Sequence, residues 1–248
     1  MLHRRLAPNT NPGTGTAHRL AMNIIDLSMP IEPGHIRWPV ERGVNGDFEN
    51  GDLFEVSWVR TSCHGFTHMD APRHMVPGGE TLDALDLARV VGRAAVIDLS
   101  DIQPNEAIDA KRLSEAADHL ATGEIALFRT CWDTQRDWKR EAFWRDAPYL
   151  TRDAAEWLLE RGPTACAFDF PQDYTIRLLL DGEVRPIPEH VTHDVLLRNN
   201  VTLIEYLVNT WAVKGSHTFL AALPLKLDGA DGAPSRVIAI EDFPKAAE

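Results

Sequence analysis

The sequence predicts a single-domain α/β fold for this chain of 248 residues, and three observations predict it. Short apolar, β-branched runs alternate with helix signals, as strands do with the helices that cover them. Hydrophobic residues make up 44% and charged residues 25%, the balance of a water-soluble protein with one sizeable core. No internal repeat and no linker long enough to divide the chain interrupts the pattern.

The formal net charge of -12 argues against non-specific binding to nucleic acid or anionic membranes, where a basic patch would supply the affinity. Cys63, Cys131 and Cys166 are an odd number with no Cys-x-x-Cys pair, so neither a disulfide framework nor a thiolate zinc site is expected. A reducing, cytoplasmic setting follows. The Arg4-Arg5 pair is not followed by the apolar core of an export signal, and nowhere is there a long uncharged run suited to a transmembrane helix.

In chain order, residues 1–21 are punctuated by proline, asparagine and glycine and are expected to be a mobile N-terminal extension, leaving 22–248 as the domain. Residues 23–28 read as a short buried strand. Pro30, Pro33, Gly34 and Pro39 then hold an extended loop that carries Trp38 and could border a pocket. Residues 54–60 alternate as a strand, 81–88 as a weak helix and 94–99 as a central strand. A helix is expected over 114–120 and a buried strand over 124–129. Trp132, Trp138 and Trp144 either cover the core or line a ligand cavity. Thr151 begins a helix over 152–161 that Gly162 closes, and 164–170 is the strand after it. Thr192 is a further N-cap, leading a brief helix over 194–198, and 201–205 is a β-branched strand. Strands over 219–227 and 236–241 flank the turn at residues 228–232.

Within this frame residues 64–74, His-Gly-Phe-Thr-His-Met-Asp-Ala-Pro-Arg-His, place three of ten histidines and a carboxylate within eleven positions. Neutral imidazole and carboxylate are ligands for Zn²⁺, Mn²⁺ and their neighbours. Because His64, His68 and Asp70 share parity, an extended strand would point all three to one face. A helix would not: Asp70 would fall roughly 200° from His68, and Pro72 forbids a helix through it. The motif is therefore placed on a strand end passing into a loop, with His74 beyond the proline. Cys63, facing the other way, is read as packing.

These residues and several others resemble the metal-dependent cyclase-like hydrolases, the family that includes bacterial kynurenine formamidase. The resemblance rests on Asp26-Leu27-Ser28, Pro30-Ile31 and Trp38-Pro39. It rests further on the His64, His68, Asp70, Pro72, His74 signature, and on His193 with Leu196-Leu197 and Glu205 with Leu207 and Asn209. Pro224-Leu225-Lys226-Leu227 and Gly232, Pro234 and Arg236 complete it. Two departures stand out: Phe66 where family members commonly have glycine, and a 169–173 segment that carries Gln172 and lacks the family's serine.

The resemblance implies a mixed, barrel-like β core, a homodimer or higher homo-oligomer, and one or two divalent metals. Beside it, the donor set suggests one centre at His64, His68 and Asp70, and a second at His193 and Glu205 with Asp70 shared. His74 is then free to serve as general base and acid. Trp38 and Phe66 are expected at the substrate. The activity implied is hydrolysis of an aryl formamide such as N-formylkynurenine. A cyclic amide or lactone of the isatin type is the alternative, and a non-catalytic metal-binding protein the remaining one.

Overall fold

The computed structural model describes residues 22–241, so the expectation for residues 1–21 lies outside the described residues. Among the described residues there are twelve strands: β1 (Asn23–Asp26), β2 (Glu41–Gly46), β3 (Val56–Arg60), β4 (His68–Asp70), β5 (Val91–Asp98), β6 (Ala107–Ile108), β7 (Ile125–Arg129), β8 (Tyr149–Leu150), β9 (Ala165–Ala167), β10 (Thr202–Glu205), β11 (His217–Pro224) and β12 (Gly232–Glu241). The α-helices are α1 (Ala110–Ala116), α2 (Trp132–Gln135), α3 (Glu141–Arg145), α4 (Arg152–Arg161) and α5 (Val191–Val195).

Seven strands close a mixed barrel in the order β12-β11-β5-β7-β9-β10-β4, because β4 pairs back onto β12; β1 holds the other end of the same β12 edge. The β5-β7-β9-β10 run is parallel and the other barrel pairings are antiparallel. Alternation along each strand separates two cores. Met69, Ala94, Val96, Ile125, Leu127, Ile204, Leu220 and Val237 come from all around the ring and fill its interior with their neighbours. Ala95, Ile97, Phe128, Cys166 and Leu203 point outward and pack with Leu113 of α1, Phe143 and Trp144 of α3 and Leu158 of α4. Burial on both faces explains why β5 and β7 read as continuous apolar runs in the sequence.

Helix α4 has the predicted bounds, with Thr151 at its N-cap and Gly162 left-handed at its C-cap, φ 69°. Elsewhere the structure revises the sequence reading. Helix α1 starts earlier than expected because the Asp109 carboxylate accepts from the Arg112 N–H at 2.8 Å. The helix expected over 81–88 is two 3₁₀ turns, Leu82–Ala84 and Leu87–Arg89, separated by the extended backbone of Leu85. Strand β1 buries Ile25 but leaves Ile24 exposed at the barrel rim. Trp132 and Trp144 are wholly buried and Trp138 packs against the same core, which settles the tryptophans as core.

The largest revision concerns the strand leading to the histidines. Strand β3 ends at Arg60, pairs with β2 alone among the described residues and is exposed along its whole length. Residues 61–67 form a turn in which Phe66 is left-handed, φ 58°, and only then does β4 begin. His64 therefore lies on a turn, and the shared parity applies to His68 and Asp70 alone. No helix among the described residues is long and apolar enough to cross a membrane.

Candidate metal centre

The site lies on the outer face of the barrel at the β4–β10 seam. Register places Ile204 opposite Met69, both inward, so Glu205 opposite His68 and the neighbouring Asp70 all face outward. Helix α5 lays His193 over this seam, and the 3₁₀ turn Pro72–His74 brings His74 to its side. Gly232 of β12 stands across from Asp70, and a Cβ there would sit 2.6 Å from His64 Cε1. Only glycine lets the His64 ring lie over Asp70.

His64, His68, Asp70, His74, His193 and Glu205 all line one cavity of about 380 Å³, with Trp38, Arg37 and Tyr206 also on its walls. His64 Nδ1 lies 2.7 Å from Asp70 Oδ1 and His68 Nε2 lies 3.2 Å from the same oxygen. His193 Nε2 is 3.4 Å from both Asp70 Oδ2 and Glu205 Oε1, and His68 Nε2 is 3.7 Å from Glu205 Oε2. His74 stacks on His64 with ring centroids 3.9 Å apart. The donor atoms divide differently from the sequence expectation: His68 groups with Asp70 and Glu205, and His64 groups with Asp70 and His74. Asp70 is common to both groups.

Two acceptors fix the tautomers. His68 Nδ1 is 2.8 Å from the Phe66 carbonyl, and His193 Nδ1 is 2.7 Å from Asp173 Oδ2. Each acceptor takes an N–H from Nδ1, so Nε2 of each ring, which faces the carboxylates, is the nitrogen that would offer a lone pair to a cation bound between them. The left-handed turn thus has a use. The backbone at Phe66 keeps the conformation glycine adopts without strain, and its carbonyl aims His68. Its ring is fully buried against Trp38 and His35 and does not line the cavity, so Phe66, expected at the substrate, belongs to the core instead. Trp38 does line the cavity.

Electrostatics follow from burial. Burial alone would raise the Asp70 carboxyl, but His68, His193 and His64 hold it well below the usual range. Glu205 is raised, by burial first and then by the Asp70 charge. Burial opposes the His64 cation, yet Asp70 and Asp231 on its two nitrogens push it up to about 9. His74 is pushed down to about 4, by burial first, with Asp70 and Asp231 pulling it up and His64 and His193 pushing it down. Two buried carboxylates lie side by side here, and Asp70 Oδ2 has no hydrogen-bond partner. An all-nitrogen-and-oxygen donor set of this kind fits a divalent cation.

Sequence reasoning missed the supporting residues. Asp173 orients His193, Gln172 donates from its amide to Glu205, and Asp231 bonds the outer nitrogen of His64 at 3.0 Å. The first two fall in the 169–173 segment noted for its lost serine. Asp231 was legible only as a turn residue.

A family model described as Putative cyclase matches residues 25–172. The kynurenine formamidase of Bacillus mycoides (strain KBAB4) is 31% identical over 218 residues, covering 86% of this chain and 95% of that protein. The kynurenine formamidase of Salinibacter ruber is 29% identical over 234 residues, covering 90% and 99%. Among solved structures, a potential metal-dependent hydrolase with cyclase activity superimposes with TM-score 0.69 at 27% identity, covering 90% of this chain and all of the other. An isatin hydrolase bound to the product analogue thioisatinate gives TM-score 0.75 at 24% identity, covering 90% and 93%, a likeness of fold.

Proposed function

Since the chain belongs to the Putative cyclase family, we propose that it is a metal-dependent amidohydrolase of the kynurenine formamidase kind, converting N-formylkynurenine and water to kynurenine and formate. The observation that carries this reading is the outward-facing set of Asp70, Glu205, His68 and His193 within one cavity, with His74 at its edge. The cavity volume suits a single aromatic ring with a short side chain.

His68, Asp70, Glu205 and His193 would hold one divalent ion, and His64 with Asp70 would approach a second, zinc or manganese in either place. When bound, such an ion polarises the scissile carbonyl and lowers the cost of deprotonating a water. The chain's own residues do the rest. His68 and His193 stay oriented by Phe66 and Asp173, so their Nε2 lone pairs need no rearrangement. His74, in the first turn after Pro72, takes the water's proton on a ring nitrogen and returns it to the departing aniline nitrogen as the C–N bond breaks. Trp38 supplies an apolar wall for the substrate ring. Three unpaired cysteines suit a cytoplasmic enzyme, and a homodimer is the assembly the resemblance implies.

Turnover of N-formylkynurenine, its N-acetyl analogue, isatin and a simple lactone, measured with added Zn²⁺ or Mn²⁺ and after chelation, tests the reading. The formamide should have the highest kcat/KM, and chelation should abolish it. Efficient ring opening with no formamide turnover would replace the substrate, and metal-independent turnover would remove the mechanism.

A further inference from the structure

Arg37 is a charged cavity residue that the chemistry above leaves unused. Two arginines line the cavity. Arg185 is neutralised by Glu189, whose carboxylate takes its Nε at 2.9 Å and its Nη2 at 3.3 Å. Arg37 makes no ion pair among the described residues, and its Nη1 is buried without a hydrogen-bond partner. Its guanidinium is held by aromatic faces, 4.4 Å from the Trp144 ring centroid, 5.2 Å from Trp38 and 5.8 Å from Tyr206, and by a hydrogen bond to the Tyr206 hydroxyl.

Aromatic stacking fixes the plane of a guanidinium while leaving its edge for a planar, bidentate acceptor. Tyr206 neighbours both the Arg37 guanidinium, 5.8 Å from its ring centroid, and the His68 ring, 5.3 Å away, so the cation and the histidine and carboxylate cluster share this ring as a common neighbour in one cavity. A chain of net charge -12 repels anions at long range, and an anionic substrate needs a local cation of this kind.

We propose that Arg37 is the specificity residue for a carboxylate on the substrate, at the end remote from the scissile amide. This rests on the hydrolase reading above. The enzyme then acts on aryl formamides that carry a carboxylate, and the ligand anion takes the uncompensated charge of Arg37 while the formyl group lies at the Asp70–Glu205 seam. Neutral formanilides lose that anchor, and so enter with weaker binding.

The test compares N-formylkynurenine with its primary carboxamide, which removes only the anion, in metal-loaded wild type, Arg37→Met and Arg37→Lys. Wild type should prefer the acid by about 10- to 100-fold in kcat/KM, mostly through KM, the size expected for one charged hydrogen-bonded contact. Arg37→Met should collapse this ratio toward one, and Arg37→Lys should restore part of it. A wild-type ratio near one, or an Arg37→Met loss equal for both substrates, would show a packing role and overturn the proposal. Calorimetric binding of kynurenine and its carboxamide separates the two readings without turnover. If no formamide is hydrolysed but kynurenine still binds more tightly than its carboxamide, and only with arginine at 37, the carboxylate site stands and the hydrolase reading fails. Equal binding of the two overturns the site.

Discussion

His68 and His193 carry their metal-facing nitrogens because of acceptors that spacing does not reveal: a backbone carbonyl two residues away and a carboxylate twenty residues away. Phe66 illustrates the trade. A left-handed non-glycine residue costs roughly 1–2 kcal/mol, and full burial of a phenyl ring returns about 1.5–3 kcal/mol, so the fold tolerates phenylalanine at this left-handed position. His74 is where geometry leaves two roles open to one ring. As a proton shuttle, its replacement in His74→Ala should lower kcat by roughly 10²- to 10⁴-fold while metal content, read by elemental analysis, stays near wild type. Loss of metal in that variant would instead make His74 a ligand of the His64–Asp70 group.

At the scale of elements, the site depends on barrel closure more than on any one strand. Strand β4 is three residues long, yet it is paired on both edges, to β10 and to β12, which holds His68 and Asp70 as rigidly as a long strand would. Away from the site, β5 and β7 are tied at their ends by Asp98 and Arg129, with Nη2 2.8 Å from Oδ2. Burial opposes the Asp98 charge, but Arg129 and Ser100 outweigh it and lower the carboxyl from 3.8. A depressed folded value stabilises the protein above the unfolded value and loses that stabilisation as pH falls through the folded one. Asp98→Asn should therefore lower the unfolding free energy read from urea titration at neutral pH, by under about 1 kcal/mol because Asp98 is half exposed. The gap should close as pH falls below 3.8. A gap unchanged in acid would show that the pair contributes nothing through its charge.

For the whole molecule, the carboxylates at the seam make metal binding and stability one quantity. The native state keeps Asp70 and Glu205 buried together, and a cation that binds only this state stabilises it by mass action, about 2.7 kcal/mol at a hundredfold excess over Kd. That corresponds to a rise in Tm of roughly 5–10 °C for a chain of this size. Chelation should reverse it. Asp70, common to both donor groups, should matter most: Asp70→Asn should lose the metal-dependent rise, and Glu205→Gln should keep part of it. Full metal occupancy in the Asp70→Asn protein would refute its shared position.

The sequence by itself determined the α/β class, the bounds of α4, the central strands and the identity of six polar residues that converge on one cavity. Each of these is written locally, in a cap, an apolar run or a dense cluster of imidazole and carboxylate. Tertiary structure alone decided which donors group together, because His193 and Glu205 reach Asp70 across more than a hundred residues through strand register and the seating of α5. It also decided that the turn at Phe66 breaks the strand before β4, that Asp231 bonds His64, and that Arg37 is left without a counterion. A left-handed backbone, a contact across the barrel and an unpaired charge are properties of the packed chain, and no periodicity in the sequence encodes them.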